Sequence, residues 1–325
     1  MPRRLYVLKL LLTAGALAAL GFVVDWGEIA RAGREASHGW ALAALALLPV
    51  NVGLEAYRWH RLVVRIAPAV RFRTALAAVV SGYPLGQLTP GRVGDYVGRA
   101  LYLREVPAGA SAALTFAERM ATLACCLVFG LAALPFFFAA DVELAAVAWA
   151  GVVAVAAGGT AGLLVCLLHP GLGRRVLSAL LPFARPRRAL ATLDRFDGAD
   201  AARLLALSAL RYAVFSTQFV LLVRAFDPGA PVLASYVGVA LVFFAKSAIP
   251  SVTLGDLGVR ESAAVFFLGL YGVAEAAAFN ASLGLFAVNI LVPALAGLAL
   301  LPRLRLAAAP AAPVPVAEEP APVPA

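Results

Sequence analysis

Charge is scarce in this sequence. Only 14% of its 325 residues are Asp, Glu, Lys or Arg, against about 25% in soluble domains. Apolar residues make up 62%, where soluble chains run at about 45–50%. That leaves too little polar surface for a compact soluble enzyme, and too much apolar surface for a disordered chain. Cysteine is nearly missing. The three cysteines, Cys125, Cys126 and Cys166, all sit in apolar runs, which excludes a secreted disulfide framework. Histidine is as rare: His38, His60 and His169 are scattered, with no helical pair, so neither a zinc nor a di-iron site is expected, and no cofactor. A Gly-x-x-x-x-Gly-Lys-Ser/Thr phosphate loop is also missing. Lysine appears only as Lys9 and Lys246 among 27 basic residues, so nearly all positive charge is arginine.

What is present is apolar runs long enough to cross a bilayer, at about 20 residues per span. They fall at about 6–24, 40–57, 110–138, 144–168, 203–226 and 277–301, giving six expected spans. The run after Arg3, Arg4 and Lys9 continues past its small residues, so it reads as a retained first span rather than a cleaved signal. The net charge of +9 is topological. Eighteen basic residues fall at the two ends, in 58–73, at Arg104 and in 169–203, and only Arg31, Arg34 and Arg224 on the other side. This split sets both termini and the 169–202 loop in the cytoplasm. Nucleic acid is not an expected partner. Residues 307–325 are an Ala/Pro-rich tail with no assigned chemistry.

Two hydrophobic stretches, about 74–104 and 232–271, are interrupted by Pro, Gly and charge. Both have an apolar half, a Pro, a polar link and Gly-x-x-Gly beside charges. Thr89 lines up with Thr253, Gly91 with Gly255 and Gly94 with Gly258. Their second halves are too short to cross: 12 helical residues rise ~18 Å, against ~30 Å of hydrocarbon. Irregular backbone at membrane depth needs protein or a water-filled cavity around it. Both stretches therefore read as re-entrant hairpins, hinged at Pro90, Gly91, Gly94, Pro250, Gly255 and Gly258. Three spans lie between them, so they enter from opposite sides, as in an inverted repeat with a site near the midplane. The expected fold is an all-α polytopic membrane domain over 1–306, six spans and two hairpins around a central polar cavity.

Charge at membrane depth is costly and marks pathways or partners. Eight such groups stand out: Arg92, Asp95 and Arg99 on the first hairpin, Glu118 and Arg119 on the third span, and Asp256, Arg260 and Glu261 on the second hairpin. Asp95 and Arg99 are spaced i, i+4, and Asp256 and Arg260 repeat that spacing. Arginine grips phosphate with a planar fork, and helix N-termini after Gly91 and Gly255 would add N–H donors. A cavity for an anionic head group follows. The alternative is that these charges pair only to lock the hairpins. Gln87 and Thr89 are tip candidates for a head group, and Lys246 a weaker one. Tyr83, Tyr96 and Tyr102 read as packing residues, Asn280 and Asn289 as interhelical hydrogen-bonding residues, and Arg211 as a snorkelling residue.

These motifs carry a resemblance. Pro90-Gly91-Arg92-Val93-Gly94-Asp95, with Arg99, resembles the pattern Pro-Gly-Arg-x-Gly-Glu-x-x-Arg. Glu118-Arg119 resembles a Glu-Arg pair, and Gly255-Asp256-Leu257-Gly258-Val259-Arg260-Glu261 a Gly-rich second motif. All three are found in the flippase-like membrane domain of the lysylphosphatidylglycerol synthase family, over residues 5–305. Asp95 departs from the pattern's Glu, and Gln87 or Thr89 stands where an Asn is expected. The resemblance implies a lipid flippase or transporter without ATP hydrolysis, for an anionic or polyprenyl-phosphate-type lipid in the cell (inner) membrane. The family's soluble synthase domain is not within these residues, so no enzymatic activity is expected. The competing readings are a membrane enzyme acting on a lipid phosphate, and an accessory scaffold of a cell-envelope biosynthesis complex. A homodimer or an envelope-biosynthesis partner stays open.

Overall fold

The computed structural model describes residues 31, 34–87, 89–103, 105–139, 146–180, 189–248 and 258–300, with no strand among them. The expected first span, the 307–325 tail and the second hairpin's tip, with Pro250, Gly255 and Asp256, lie outside the described residues. Within them the helices are α1 (His38–Ala46), α2 (Leu48–Val63), α3 (Phe72–Gln87), α4 (Val93–Tyr102), α5 (Ala108–Phe138), α6 (Ala146–Leu168), α7 (Pro170–Leu180), α8 (Gly198–Phe226), α9 (Val232–Ala248), α10 (Val259–Gly269), α11 (Glu275–Phe286) and α12 (Val292–Leu298). Five described stretches are long and apolar enough to cross a membrane: 38–63, 108–138, 150–168, 198–226 and 275–298. They correspond to the second to sixth expected spans. The protein is an all-helical, multi-pass membrane protein.

One boundary is corrected. The second span was expected to end at 57, leaving Arg58 and Arg61 in a cytoplasmic segment. Helix α2 instead runs to Val63, because Arg58, Trp59, Leu62 and Val63 are all buried. Arg58 faces a partner inside the protein. The 169–202 segment is also more than a loop: it folds into α7 and a 3₁₀ turn at Ala191–Arg195.

The two interrupted stretches form two helix pairs, α3 with α4 and α9 with α10, each packed on its mate. Their lengths match: 16 and 10 residues in the first, 17 and 11 in the second. Helix α3 ends before Thr89-Pro90, where proline has no N–H to continue the ladder. The chain then reverses through Gly91 (φ 62°) and Arg92 (φ 56°). Arg92 is the only non-glycine with positive φ among the described residues. Gly91 is a true hinge, while Gly94 serves close approach. A Cβ on Gly94 would lie 1.9 Å from the Leu85 carbonyl oxygen, and one on Gly98 would lie 2.7 Å from the Gly82 Cα. The two helices touch backbone to backbone. Pro84, inside α3, has no N–H for the Val80 carbonyl four residues back. That carbonyl lies against α12, where a Cβ on Gly297 would come within 2.4 Å of it.

The long helices α5 and α8 supply both main apolar cores. One core joins them to α9, α10 and α11 through Phe219, Val223, Phe243, Leu268 and Leu285. The other joins them to α2, α3 and α4 through Trp59, Val79, Tyr83, Leu114 and Leu204. Helix α8 starts on a proper cap: the Asp197 carboxylate accepts from the Asp200 N–H at 2.8 Å. Beside it, the Arg65 Nη2 donates to Asp200 at 2.5 Å, tying the end of α2 to the start of α8. That hydrogen bond and its charge hold the Arg65 guanidinium above its ordinary range.

Two outcomes follow. Gly98→Ala should wedge α3 from α4 at a cost of about 1–3 kcal/mol, lowering the thermal midpoint of the purified protein. Gly53→Ala, with nothing within 4 Å of the added Cβ, should leave it unchanged. The Asp200 N–H, then the positive charge of Arg65, hold the Asp197 carboxyl below its ordinary 3.8. A depressed carboxylate stabilises above its unfolded value and loses that contribution as pH falls through the folded one. Amide-exchange protection at Asp200 should therefore hold at neutral pH and fall once the medium is acidified below 3.8.

Candidate functional site

The first turn of α4 sets Asp95 one helical turn before Arg99, so the i, i+4 pair forms as the spacing predicts: the Arg99 Nε donates to Asp95 Oδ1 at 2.9 Å. Arg99 is 1% exposed and has more partners than that. Its Nη1 donates to Glu118 Oε2 on α5 at 2.6 Å, and its Nη2 to Glu55 Oε1 on α2 at 2.6 Å. Its flat face lies 5.5 Å from the Trp59 ring centroid. Three carboxylates from three helices thus hold one guanidinium.

Each carboxylate also binds a second arginine. Glu118 Oε1 accepts from Arg58 Nη2 at 2.8 Å, and Arg58 Nη1 donates to Ser208 on α8 at 2.6 Å and to Thr122 at 3.0 Å. Glu55 Oε2 accepts from Arg211 Nη2 on α8 at 2.7 Å and from the Tyr83 hydroxyl at 2.8 Å. Asp95 accepts from Arg119, whose guanidinium also lies over the Tyr96 ring at 5.3 Å. Arg92, returned by its left-handed backbone, sits 5.6 Å over the Tyr83 ring. Its backbone N–H donates to the Thr89 carbonyl at 3.1 Å, but among the described residues its guanidinium donates no hydrogen bond and forms no ion pair.

Of the eight expected residues, Arg92, Asp95, Arg99, Glu118 and Arg119 come together here. Glu55 and Arg58 were missed, and Arg211 was misjudged as snorkelling; its side chain is 17% exposed and bound to Glu55. The signal for the missed pair was legible. Asn51, Glu55 and Arg58 are spaced i, i+4, i+7, one face of a helix, and all three are buried. Two tip and packing expectations also change. Thr89 is a structural cap, its Oγ1 accepting the Gly94 N–H at 2.6 Å. Tyr83 and Tyr96 do more than pack, since each ring carries an arginine. The Gln87 Nε2 at the tip is buried and has no acceptor among the described residues.

The cluster is not neutral. Arg58, Arg92, Arg99, Arg119 and Arg211 face Glu55, Asp95 and Glu118. Among the described residues two positive charges are in excess. Uncompensated buried charge is expensive, and anions relieve it.

The second helix pair is organised differently. Asp256 of the expected Asp256–Arg260 pair lies outside the described residues, and α10 begins at Val259. Arg260 instead donates to its neighbour Glu261 at 2.5 Å and to Ser282 on α11 at 2.9 Å. Glu261 folds back to accept the Gly258 N–H at 2.7 Å, where Gly258 has φ 91°. Asp95 and Glu261 both fall at the third residue of their helices, so helix starts relate the two units by 166 residues where the glycines suggested 164. Among the described residues no ion pair joins Arg260 or Glu261 to the Arg99 cluster. Neutral amides form a separate group one turn from Glu55 on α2. Asn51 Nδ2 donates to Gln218 Oε1 at 3.2 Å and to Asn289 Oδ1 at 2.7 Å. Asn289 sits in a π turn, Ala287–Leu291, a distortion that recurs at functional sites. Its expected interhelical role holds. Among the described residues no His/Cys/Asp/Glu group is arranged to hold a metal.

An all-helical bundle with a buried, arginine-rich cluster on interrupted helices defines a multi-pass membrane protein with an internal polar site. The family model of the lysylphosphatidylglycerol synthase transmembrane region matches residues 6–297. The protein belongs to this family, whose setting is membrane lipid. No curated protein matches the chain.

Glu118→Gln tests how the cluster is held. It strips a carboxylate from both Arg58 and Arg99 and should cost about 3–5 kcal/mol, the penalty for a buried pair broken on one side. Asp194→Asn, which breaks the exposed Arg174–Asp194 pair, should change stability by only ~0–1 kcal/mol. Thermal unfolding in detergent compares the two.

Proposed function

We propose that this protein is a lipid flippase or transporter. It moves an anionic lipid, of phosphatidylglycerol or polyprenyl-phosphate type, between leaflets of the cell membrane without ATP hydrolysis. The observation that carries this reading is the positive excess of the cluster: among the described residues five arginines face three carboxylates, and the Arg92 guanidinium has no ion pair. A lipid phosphate would supply the missing negative charge, and arginine is the side chain suited to it. Family membership supports a lipid as substrate.

In this reading α3/α4 and α9/α10 are two re-entrant hairpins of an inverted repeat. At roughly 24 Å and 15 Å, α3 and α4 are each shorter than a ~30 Å hydrocarbon core. Both termini and the 169–202 segment face the cytoplasm, as the arginine distribution dictates. The domain over 1–306 acts as a transporter and not as an enzyme, and the 307–325 tail takes no part. Helix α4 begins at the cluster, so its N-terminus adds a favourable field for an anion.

Arg92 gives a test that separates function from stability. Its left-handed backbone costs about 1–2 kcal/mol for a residue with a Cβ, a cost glycine avoids. Arg92→Gly should keep or raise the thermal midpoint of the purified protein. In liposomes it should slow leaflet exchange of fluorescent phosphatidylglycerol about tenfold or more, the worth of a lost charge-assisted contact. Exchange by the wild type no faster than in protein-free liposomes, for both phosphatidylglycerol and polyprenyl phosphate, refutes the transport reading.

A further inference from the structure

Two adjoining cavities open at the end of the bundle where α2 finishes and α8 starts, and neither is used by the cluster as described. The first, of about 420 Å³, lies among α5, α6, α7 and α8 and is lined almost wholly by apolar side chains such as Met120, Leu163, Leu177 and Leu205. The second, of about 370 Å³, lies between α2 and α8 and is lined by Tyr57, Arg58, Arg61, Asp200 and Arg203. Leu62, Phe196, Asp200 and Leu204 belong to both walls, so the two spaces lie side by side. Each falls in the ~300–1,000 Å³ range of ligand sites.

The charges of the basic chamber favour an anion. Its single acid, Asp200, is engaged by Arg65 at 2.5 Å and approached by Arg203 at 3.7 Å. Arg61 is exposed and has no ion pair among the described residues. Arg58 is 2% exposed and is shared with the buried cluster. Its Nε has no acceptor among the described residues. The chamber therefore leads directly to the cluster. An apolar slot beside a basic chamber has the shape of one amphiphile, with a hydrocarbon chain in one part and an anionic phosphate in the other.

We infer that these adjoining cavities are a loading site for a phosphate-bearing lipid. Its head group rests on Arg58, Arg61 and Arg203, and one acyl chain lies in the α5–α8 slot. The inference rests on the transport reading above and names where substrate enters, one helical turn from the Glu118–Arg58–Ser208 contacts. Arg58 is the group that passes from entry to interior.

Photolabelling in detergent micelles tests it without requiring transport. The probes are phosphatidylglycerol with a diazirine at the end of one acyl chain, and the diacylglycerol with the same chains. Wild-type protein should be labelled by both on α5 and α6 around Met120 and Leu163. Arg61→Gln with Arg203→Gln should lower phosphatidylglycerol labelling there about tenfold and leave diacylglycerol labelling unchanged. Gly162→Leu fills the slot from a position where an added Cβ meets nothing within 4 Å. It should lower labelling by both probes, and Ala117→Leu should do the same from α5. Millimolar inorganic phosphate should not compete, since it lacks the chain. Labelling spread evenly over the helices, insensitive to these variants, overturns the site, as does an equal loss of both probes in the arginine variant. Labelling here without leaflet exchange in liposomes keeps the site and rejects transport. Exchange without labelling here rejects the site and keeps transport.

Discussion

The arrangement of the first helix pair depends on one buried guanidinium. Arg99 is held by carboxylates from α2, α4 and α5, and each of those carboxylates holds another arginine. Such a network is weak evidence for net stability, because desolvation of the charges offsets their attraction. Its consequence is geometric. No one of the three helices can shift along its axis without stripping a partner from a buried charge. The short helix α4, only 10 residues long, gains a fixed depth that its own hydrophobicity would not give. The glycine contacts serve the same end. A Cβ on Gly82 would fall 2.2 Å from Asp95 Oδ1, so the carboxylate occupies space that only glycine leaves free.

The two helix pairs share a plan but differ in where their charge goes. Each has an acid at the third position of its second helix. Asp95 spends that acid on arginines from two helices, whereas Glu261 spends it on its own helix start and on the adjacent Arg260. The second pair's Arg260–Glu261 unit is anchored on Ser282 of α11, and Lys246 is the pair's other described charge. Among the described residues the larger charge excess belongs to the first pair and to the helices that surround it.

Much of this was legible in the sequence, and the failures have physical causes. The spans, the two interruptions and five of the eight charges of the site follow from hydropathy, Pro/Gly punctuation and the cost of charge in hydrocarbon. Glu55 lay inside the expected span 40–57 as a lone acid, and Arg58 fell just beyond an end drawn by hydropathy, whereas an inward-facing charge lets the helix run on to Val63. The Asp256–Arg260 spacing falls partly outside the described residues, and within them Arg260 pairs with Glu261, a neighbour that i, i+4 spacing does not point to. Arg211 was misread for a related reason. A lone arginine in an apolar run looks the same whether it snorkels or pairs, and its partner Glu55 is 156 residues away.

Beside the charged cluster the interior also carries a chain of neutral amides. Asn51 lies one turn from Glu55 on α2 and uses both amide hydrogens, on Gln218 and Asn289. Gln218 in turn donates to the Ala44 carbonyl at 3.0 Å. The chain of amides ties α1, α2, α8 and the π turn before α12 together without adding charge. That matters for a buried site, because amides satisfy hydrogen bonds at far smaller desolvation cost than ions do. Among the described residues the positive excess lies with the arginines around Arg99 and Arg58, so its field draws an anion toward them.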